Sequence, residues 1–163
     1  MRTLILLATA SILLLSVQHG FPRFEDYPVQ SRYTGHVAPV ATRSDSQARR
    51  FRTRLRQGAK QGPNFAGRFT VVTWRAGFPY GAMLAIVDAK TGKVYFGPDL
   101  MFSAEYRLDS SLLIVDPPDR VRAFFDTDTT DRLRYAATTF YYWWDGHRLI
   151  PVDSIPVYQA PAP

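Results

Sequence analysis

From Gly62 onward the chain reads as a series of short β-type segments, and this pattern restricts the fold more than any other feature. The segments are rich in β-branched and aromatic residues and are separated by turn signals, of which Asp145-Gly146 is the strongest hairpin signal. Short connections favour an antiparallel meander, so we expect one sheet of six or seven strands. The segments are Ala66–Trp74, Ala82–Asp88, Lys93–Phe96, Glu105–Leu108, Ser111–Val115, Arg134–Trp144 and Arg148–Val152.

One helix is predicted before these strands, starting at a cap on Asp45 or Ser46 and ending near residue 59. Its apolar positions are spaced three and four apart on one face. They are Ala48, Phe51, Leu55 and Ala59. The segment Val121–Phe125 is compatible with either a helical turn or a strand. The expected fold is therefore α+β, mainly β, with one N-terminal helix packed on the sheet.

The first twenty residues have the pattern of a secretory signal peptide. Arg2 precedes an unbroken apolar run from Leu4 to Leu15, which is shorter than the roughly 20 residues of an ordinary membrane span. Signal peptidase prefers small residues at the last and third-last positions. Cleavage after Gly20 puts Gln18 at the third-last position, which fits poorly, whereas cleavage after Ser16 puts Leu14 there, which is tolerated. We therefore expect a periplasmic or secreted protein. An uncleaved leader would instead tether it to a membrane.

The rest of the chain is predicted to hold a single domain. Residues 21–44 contain three prolines and no persistent period, which indicates an extended arm. Residues 45–155 are expected to form the globular domain, and residues 156–163 a Pro-rich tail, with fraying from Asp153. With no cysteine, an exported domain has neither disulfides nor thiol chemistry, so its stability must come from packing.

The chain carries a formal net charge of +6, and its most basic element is the predicted helix. Positive charge favours anionic partners, such as an envelope component or an acidic protein, whereas export makes nucleic acid an unlikely one. Arginine suits bidentate contacts with phosphate or carboxylate. The alternative is a solvated outer face on a helix that docks through Phe51 and Leu55. The candidate binding residues are Arg49, Arg50, Arg52, Arg54 and Arg56.

Aromatic residues are the second candidate binding feature. In a strand, Tyr141 and Trp143 face one way while Phe140, Tyr142 and Trp144 face the other, so one set is expected in the core. Any uncovered set, with Trp143 or Trp144, would be a partner surface, since Trp and Tyr are common in binding hot spots. The turn residues Phe78 and Tyr80 are a further candidate projection, or they belong to a simple turn.

The sequence offers little support for catalysis. It contains no G-x-S-x-G, no H-E-x-x-H and no Gly-rich phosphate loop, and no cofactor is expected. His19 lies within the predicted leader, which leaves His36 and His147 as candidates for an acid or base.

A carboxylate cluster at Asp126, Asp128 and Asp131 is the only weak candidate for a metal site. Alternating oxygen ligands suit Ca²⁺, but the Gly and Glu of an EF-hand loop are missing. Asp and Thr are also ordinary loop residues, so we expect a loop and no metal.

The segment Gly62-Pro63-Asn64-Phe65-Ala66-Gly67, followed by a strand ending at Trp74, resembles a family of small exported bacterial proteins. The resemblance covers Phe51 to about Tyr95. Members of that family tend to carry W-G-C-G-x-x-C after the strand, where this chain has Ala76 and Tyr80. The resemblance therefore implies a similar fold without the disulfide across that turn, and it implies no activity.

These observations favour an exported, non-catalytic binding domain, either associated with the envelope or of an inhibitor or immunity type. The alternative is a hydrolase of an envelope polymer that uses His36 or His147. A histidine next to a buried Asp or Ser in a pocket would support the hydrolase. Isolated histidines and an arginine helix beside an open aromatic face would support the binding domain.

Overall fold

The protein contains two antiparallel sheets that share one core. The computed structural model describes residues 20–43, 45–75, 81–126 and 132–159. The strands in these residues are β1 (Phe69–Arg75), β2 (Ala82–Asp88), β3 (Val94–Phe96), β4 (Ala104–Tyr106), β5 (Leu112–Val115), β6 (Thr138–Trp144) and β7 (Leu149–Pro156). The first sheet has the order β1-β2-β3 and the second β4-β5-β6-β7, and every neighbouring pair is antiparallel.

The predicted α+β class is confirmed, but the single meander sheet is wrong. All four residues of β5 and the last five of β2 are buried, so these strands need a cover on both faces. One sheet with a helix on one side would leave the other face in water. Two sheets remove this problem because each covers one face of the other.

The chain passes from the first sheet to the second through the segment between β3 and β4. Instead of pairing β3 with β4, it forms an isolated bridge in which Leu100 and Ala82 exchange both backbone hydrogen bonds. The buried carboxylate of Asp116 then accepts hydrogen bonds from the N–H groups of Met101, Phe102 and Ser103 at 3.0, 2.7 and 3.1 Å. This carboxylate fixes the start of the second sheet.

The core between the sheets is built from alternate residues of β1, β2, β5 and β6. Burying each large apolar side chain stabilises the fold by about 1.5–3 kcal/mol. The buried members are Phe65, Phe69, Val71, Leu84, Ile86, Leu100, Leu113, Val115 and Trp144. The predicted alternation along β6 is confirmed, because Trp144 is 4% exposed and Trp143 is 41% exposed.

Helices α1 (Ser46–Arg50) and α2 (Arg52–Ala59) cover the outer face of the first sheet. The Asp45 carboxylate accepts from the N–H of Ala48 at 2.7 Å, as predicted for the cap. The predicted single helix is interrupted at Phe51, whose φ is −101° and ψ 16°. Gly58 allows close packing, since a Cβ there would lie 2.4 Å from Val72 Cγ1.

A third helix, α3 (Pro118–Phe125), resolves the open prediction for residues 121–125 in favour of a helix. Short 3₁₀ segments occur at Phe24–Asp26 and Arg132–Ala136, so the strand predicted from Arg134 begins only at Thr138. Among the described residues, no helix combines the length and the apolar character needed to cross a membrane.

The residues of the predicted arm form an irregular cover along both sheets. Phe24 and Tyr27 pack against Leu112, Ile114 and Tyr141 on the outer face of the second sheet. Farther along, the backbone N–H groups of residues 33, 38 and 41 donate to the carbonyls of residues 67, 89 and 92 at 2.8 Å each. The arm thus supplies the second cover that the second sheet requires.

The C-terminal segment is more ordered than predicted. Strand β7 continues to Pro156, and the N–H of Val157 donates to the carbonyl of Ala137 at 3.0 Å. The ring of Tyr158 then packs 6.3 Å from that of Phe125. Fraying from Asp153 is therefore wrong, because pairing with β6 and packing on α3 hold these residues in place.

The segment 62–67 that carries the family resemblance closes the free edge of β1. The side chain of Asn64 accepts from the N–H of Val71 at 2.8 Å and donates to its carbonyl at 3.3 Å. Phe65 exchanges two backbone hydrogen bonds with Phe69, both 2.9 Å, and is fully buried. In this protein the segment therefore has a structural role.

Candidate functional site

Helices α1 and α2 border an open cleft of about 680 Å³. We call this the arginine cleft. It lies between the junction of α1 with α2, the adjoining ends of β1 and β2, and the segment after β3. Its lining includes three arginines, three apolar side chains and one carboxylate: Arg50, Arg54, Arg75, Phe51, Trp74, Met83 and Asp99.

The local geometry brings three arginines and an apolar floor into one cleft. Arg50 ends α1 and Arg54 lies in the first turn of α2, on either side of the break at Phe51, while Arg75 ends β1. The guanidinium of Arg50 lies 5.5 Å from the centroid of the Phe51 ring. That ring packs against Trp74 with 5.0 Å between centroids. The cleft therefore combines cations with an aromatic surface.

The three cleft arginines form no ion pair within the described part of the chain. The ion pairs found there use Arg23, Arg68, Arg107, Arg122 and Arg148, and none involves a cleft arginine. These guanidiniums are thus available to an external anion.

The other helix arginines lie outside the cleft. Arg49 donates to the carbonyl of Arg43 at 2.7 Å, and Arg52 donates to that of Arg49 at 3.5 Å. Arg56 is exposed in the last turn of α2. Leu55 is fully buried, so the helix docks on the sheet as predicted while its arginines face outward. The structure thus separates two cleft arginines from three that lie elsewhere.

Trp74 gives the cleft floor an unused hydrogen-bond donor. The residue is 7% exposed, and its indole N–H has no acceptor among the described residues. A buried donor without a partner is unusual in a folded protein. The Trp74 side chain thus lines the cleft, and its buried indole N–H lacks an acceptor in the described chain.

A second, smaller cleft of about 390 Å³ lies between β3 and the β6–β7 turn, and we call it the hairpin cleft. Tyr95, Tyr142 and Trp144 line it, and the indole N–H of Trp144 also lacks an acceptor in the described chain. Its arginine, Arg148, is paired with Asp145 at 3.3 Å. Backbone hydrogen bonds from Arg148 and from His147 lower the pKa of the Asp145 carboxyl.

Of the aromatic residues predicted to bind a partner, only one is exposed in the described chain. Trp143 lies on the outer side of β6. Trp144 is a core residue whose ring is 5.2 Å from those of Phe69 and Tyr95. Phe78 and Tyr80 lie outside the described residues.

The candidate catalytic histidines are separate and exposed. The carbonyl of His36 accepts from the Tyr33 hydroxyl at 2.9 Å, and the backbone N–H of His147 donates to Asp145 at 2.8 Å. His147 lines the hairpin cleft, but the described residues show no ion pair between either imidazole and a carboxylate.

The predicted carboxylate loop falls largely outside the description. Asp128 and Asp131 lie outside the described residues, and Asp126 accepts a 2.9 Å hydrogen bond from the Tyr158 hydroxyl. No group of three His, Cys, Asp or Glu side chains suitable for a metal occurs in the ranges that the structure covers.

Of the seven cleft residues named above, the sequence predicted only Arg50 and Arg54 as binding residues. It missed five: Phe51, which was expected only to dock the helix, Trp74, Arg75, Met83 and Asp99. An available signal was the Trp-Arg dipeptide at the end of a predicted strand. Comparison with family models, curated proteins and solved structures gives no match to this chain. The functional argument therefore rests on the geometry of the cleft.

Proposed function

We propose that this protein is a non-catalytic domain that binds an anionic partner in the arginine cleft. The observation that carries the proposal is the set of three arginines, Arg50, Arg54 and Arg75, without an ion-pair partner in the described chain. Guanidiniums form strong bidentate hydrogen bonds with carboxylate and phosphate groups. A ligand that reaches two of them at once gains both charge attraction and a fixed orientation.

We also propose that the protein works outside the cytoplasm, where an acidic protein or an anionic envelope component would be its partner. The leader-like first twenty residues support this location. An inhibitor or immunity role is compatible with such a domain, because both require binding without chemistry.

The test is a charge reversal within the cleft, Arg50→Glu plus Arg54→Glu. We expect normal folding, because both side chains are exposed, together with a loss of retention on an anionic resin at low salt. Retention is measured as the salt concentration at which the protein elutes, with circular dichroism as the measure of folding.

Helix α2 offers a matched control, Arg52→Glu plus Arg56→Glu. It has the same spacing and the same change in net charge, and neither residue lines the cleft. We expect it to retain a clearly larger share of the binding. Equal losses in the two variants would attribute retention to overall charge and contradict the proposal.

A further inference from the structure

We infer that the arginine cleft is built for an acidic polypeptide segment carrying an aromatic or large apolar side chain. The inference rests on the proposed function, because it names the ligand of the same cleft. An acidic peptide and a phosphate polymer both satisfy arginine. The rest of the cleft distinguishes between them.

The floor of the cleft favours a ligand with an apolar group. Phe51, Trp74 and Met83 line the same cleft as the arginines, and Phe51 and Met83 are only partly buried. Covering such surface stabilises a complex in proportion to the apolar area removed from water. A phosphate polymer has no apolar group for this purpose, whereas an acidic peptide can carry one beside its carboxylates.

The wall of the cleft favours a ligand that is not uniformly anionic. Asp99 is exposed, lines the same cleft as the three arginines and has no ion-pair partner in the described chain. Its carboxylate repels a dense polyanion. The same group accepts hydrogen bonds from the backbone N–H groups of a peptide. A complementary ligand therefore has carboxylates near the arginines and hydrogen-bond donors near Asp99.

The indole of Trp74 provides a reporter of occupancy. Its N–H has no acceptor among the described residues, and the ring forms part of the floor. Binding over this ring changes the environment of the indole proton, which gives its own resonance in a ¹H–¹⁵N spectrum. Trp143, exposed on the second sheet, serves as the internal reference.

The experiment titrates the full chain with two synthetic peptides of equal charge, one combining glutamates with phenylalanines and the other glutamates with serines. Inorganic polyphosphate of matched charge is the third probe. We expect the phenylalanine peptide to bind about tenfold more tightly than the serine peptide, which corresponds to burying one aromatic side chain. The Trp74 indole resonance should move while that of Trp143 stays.

A second variant tests the apolar contact without touching the charges. Met83→Gln should bring the affinities of the two peptides close together, because it removes apolar floor from the cleft. Val152→Gln is the control, since Val152 is 40% exposed on β7 in the second sheet. It should leave the preference unchanged. Arg50→Glu plus Arg54→Glu should weaken the binding of both peptides.

Three outcomes would overturn the inference. In the first outcome, the two peptides bind with equal affinity, and both lose binding in Arg50→Glu plus Arg54→Glu. The cleft would then bind anions without preferring an apolar side chain. Tighter binding of polyphosphate than of the phenylalanine peptide would assign the cleft to a phosphate polymer. If none of the three probes binds, the proposed function fails together with the inference.

Discussion

The two clefts of the molecule have similar floors but differ in the charge of their walls. Each has a buried tryptophan, Trp74 or Trp144, whose indole N–H has no acceptor in the described chain. In the hairpin cleft the one arginine is held by Asp145, whereas the arginine cleft has three without an ion-pair partner in the same described residues. The two clefts therefore share an aromatic lining and differ in unpaired charge.

The largest expected effect is a loss of stability on replacing Trp144, which lines the hairpin cleft. Trp144→Ala should lower the free energy of unfolding by about 3–5 kcal/mol, because the ring fills the core between the sheets. Trp143→Ala should lower it by about 1 kcal/mol or less, since that side chain is 41% exposed. Urea unfolding of both variants measures the difference. Equal, small losses would contradict the core position of Trp144.

A smaller effect is expected when the ion pair between Arg148 and Asp145 in the hairpin cleft is removed. Asp145→Asn removes the partner of Arg148 and leaves a guanidinium free beside Tyr142 and Trp144. We expect retention on the anionic resin to increase by less than Arg50→Glu plus Arg54→Glu decreases it, because only one cation is released. A larger increase would show that the hairpin cleft is the stronger anion site.

The smallest effect is a local response to acid. The pKa of the Asp145 carboxyl is lowered below its ordinary value of 3.8, so its bonds to His147 and Arg148 contribute stability above that value. This contribution is lost as the pH falls through the lowered pKa. The amide resonances of His147 and Arg148 should therefore titrate with a midpoint below pH 3.8. A midpoint at or above that value would contradict the hydrogen bonds of this turn.

Local patterns predicted most of the individual elements. The bounds of β2 agree with its apolar run, the cap at Asp45 is confirmed, and Leu55 faces the sheet as its spacing indicates. The partition into two sheets could not be predicted, because it depends on Leu100 pairing with Ala82 rather than on any local propensity. The spacing of residues along the sequence does not indicate such a long-range pairing.

The candidate site was only half predictable for the same reason. The helix arginines stand out by composition, yet the division between Arg50 and Arg52 requires knowing where the helix breaks and what it faces. Trp74, Met83 and Asp99 come from three different segments and meet only in the folded chain. Burial likewise separates Trp143 from Trp144, which are adjacent in sequence.

The contacts of the arm join residues that are far apart in the sequence. The hydroxyl of Ser110 donates to the carbonyl of Phe24 at 2.8 Å across a separation of 86 residues, and the N–H of Ser111 donates to the carbonyl of Tyr27. The arm precedes both sheets in the chain, yet its partners come from them. Contacts of such large sequence separation form slowly. We therefore expect the N-terminal arm to dock late in folding and the outer face of β5 to stay open until it does.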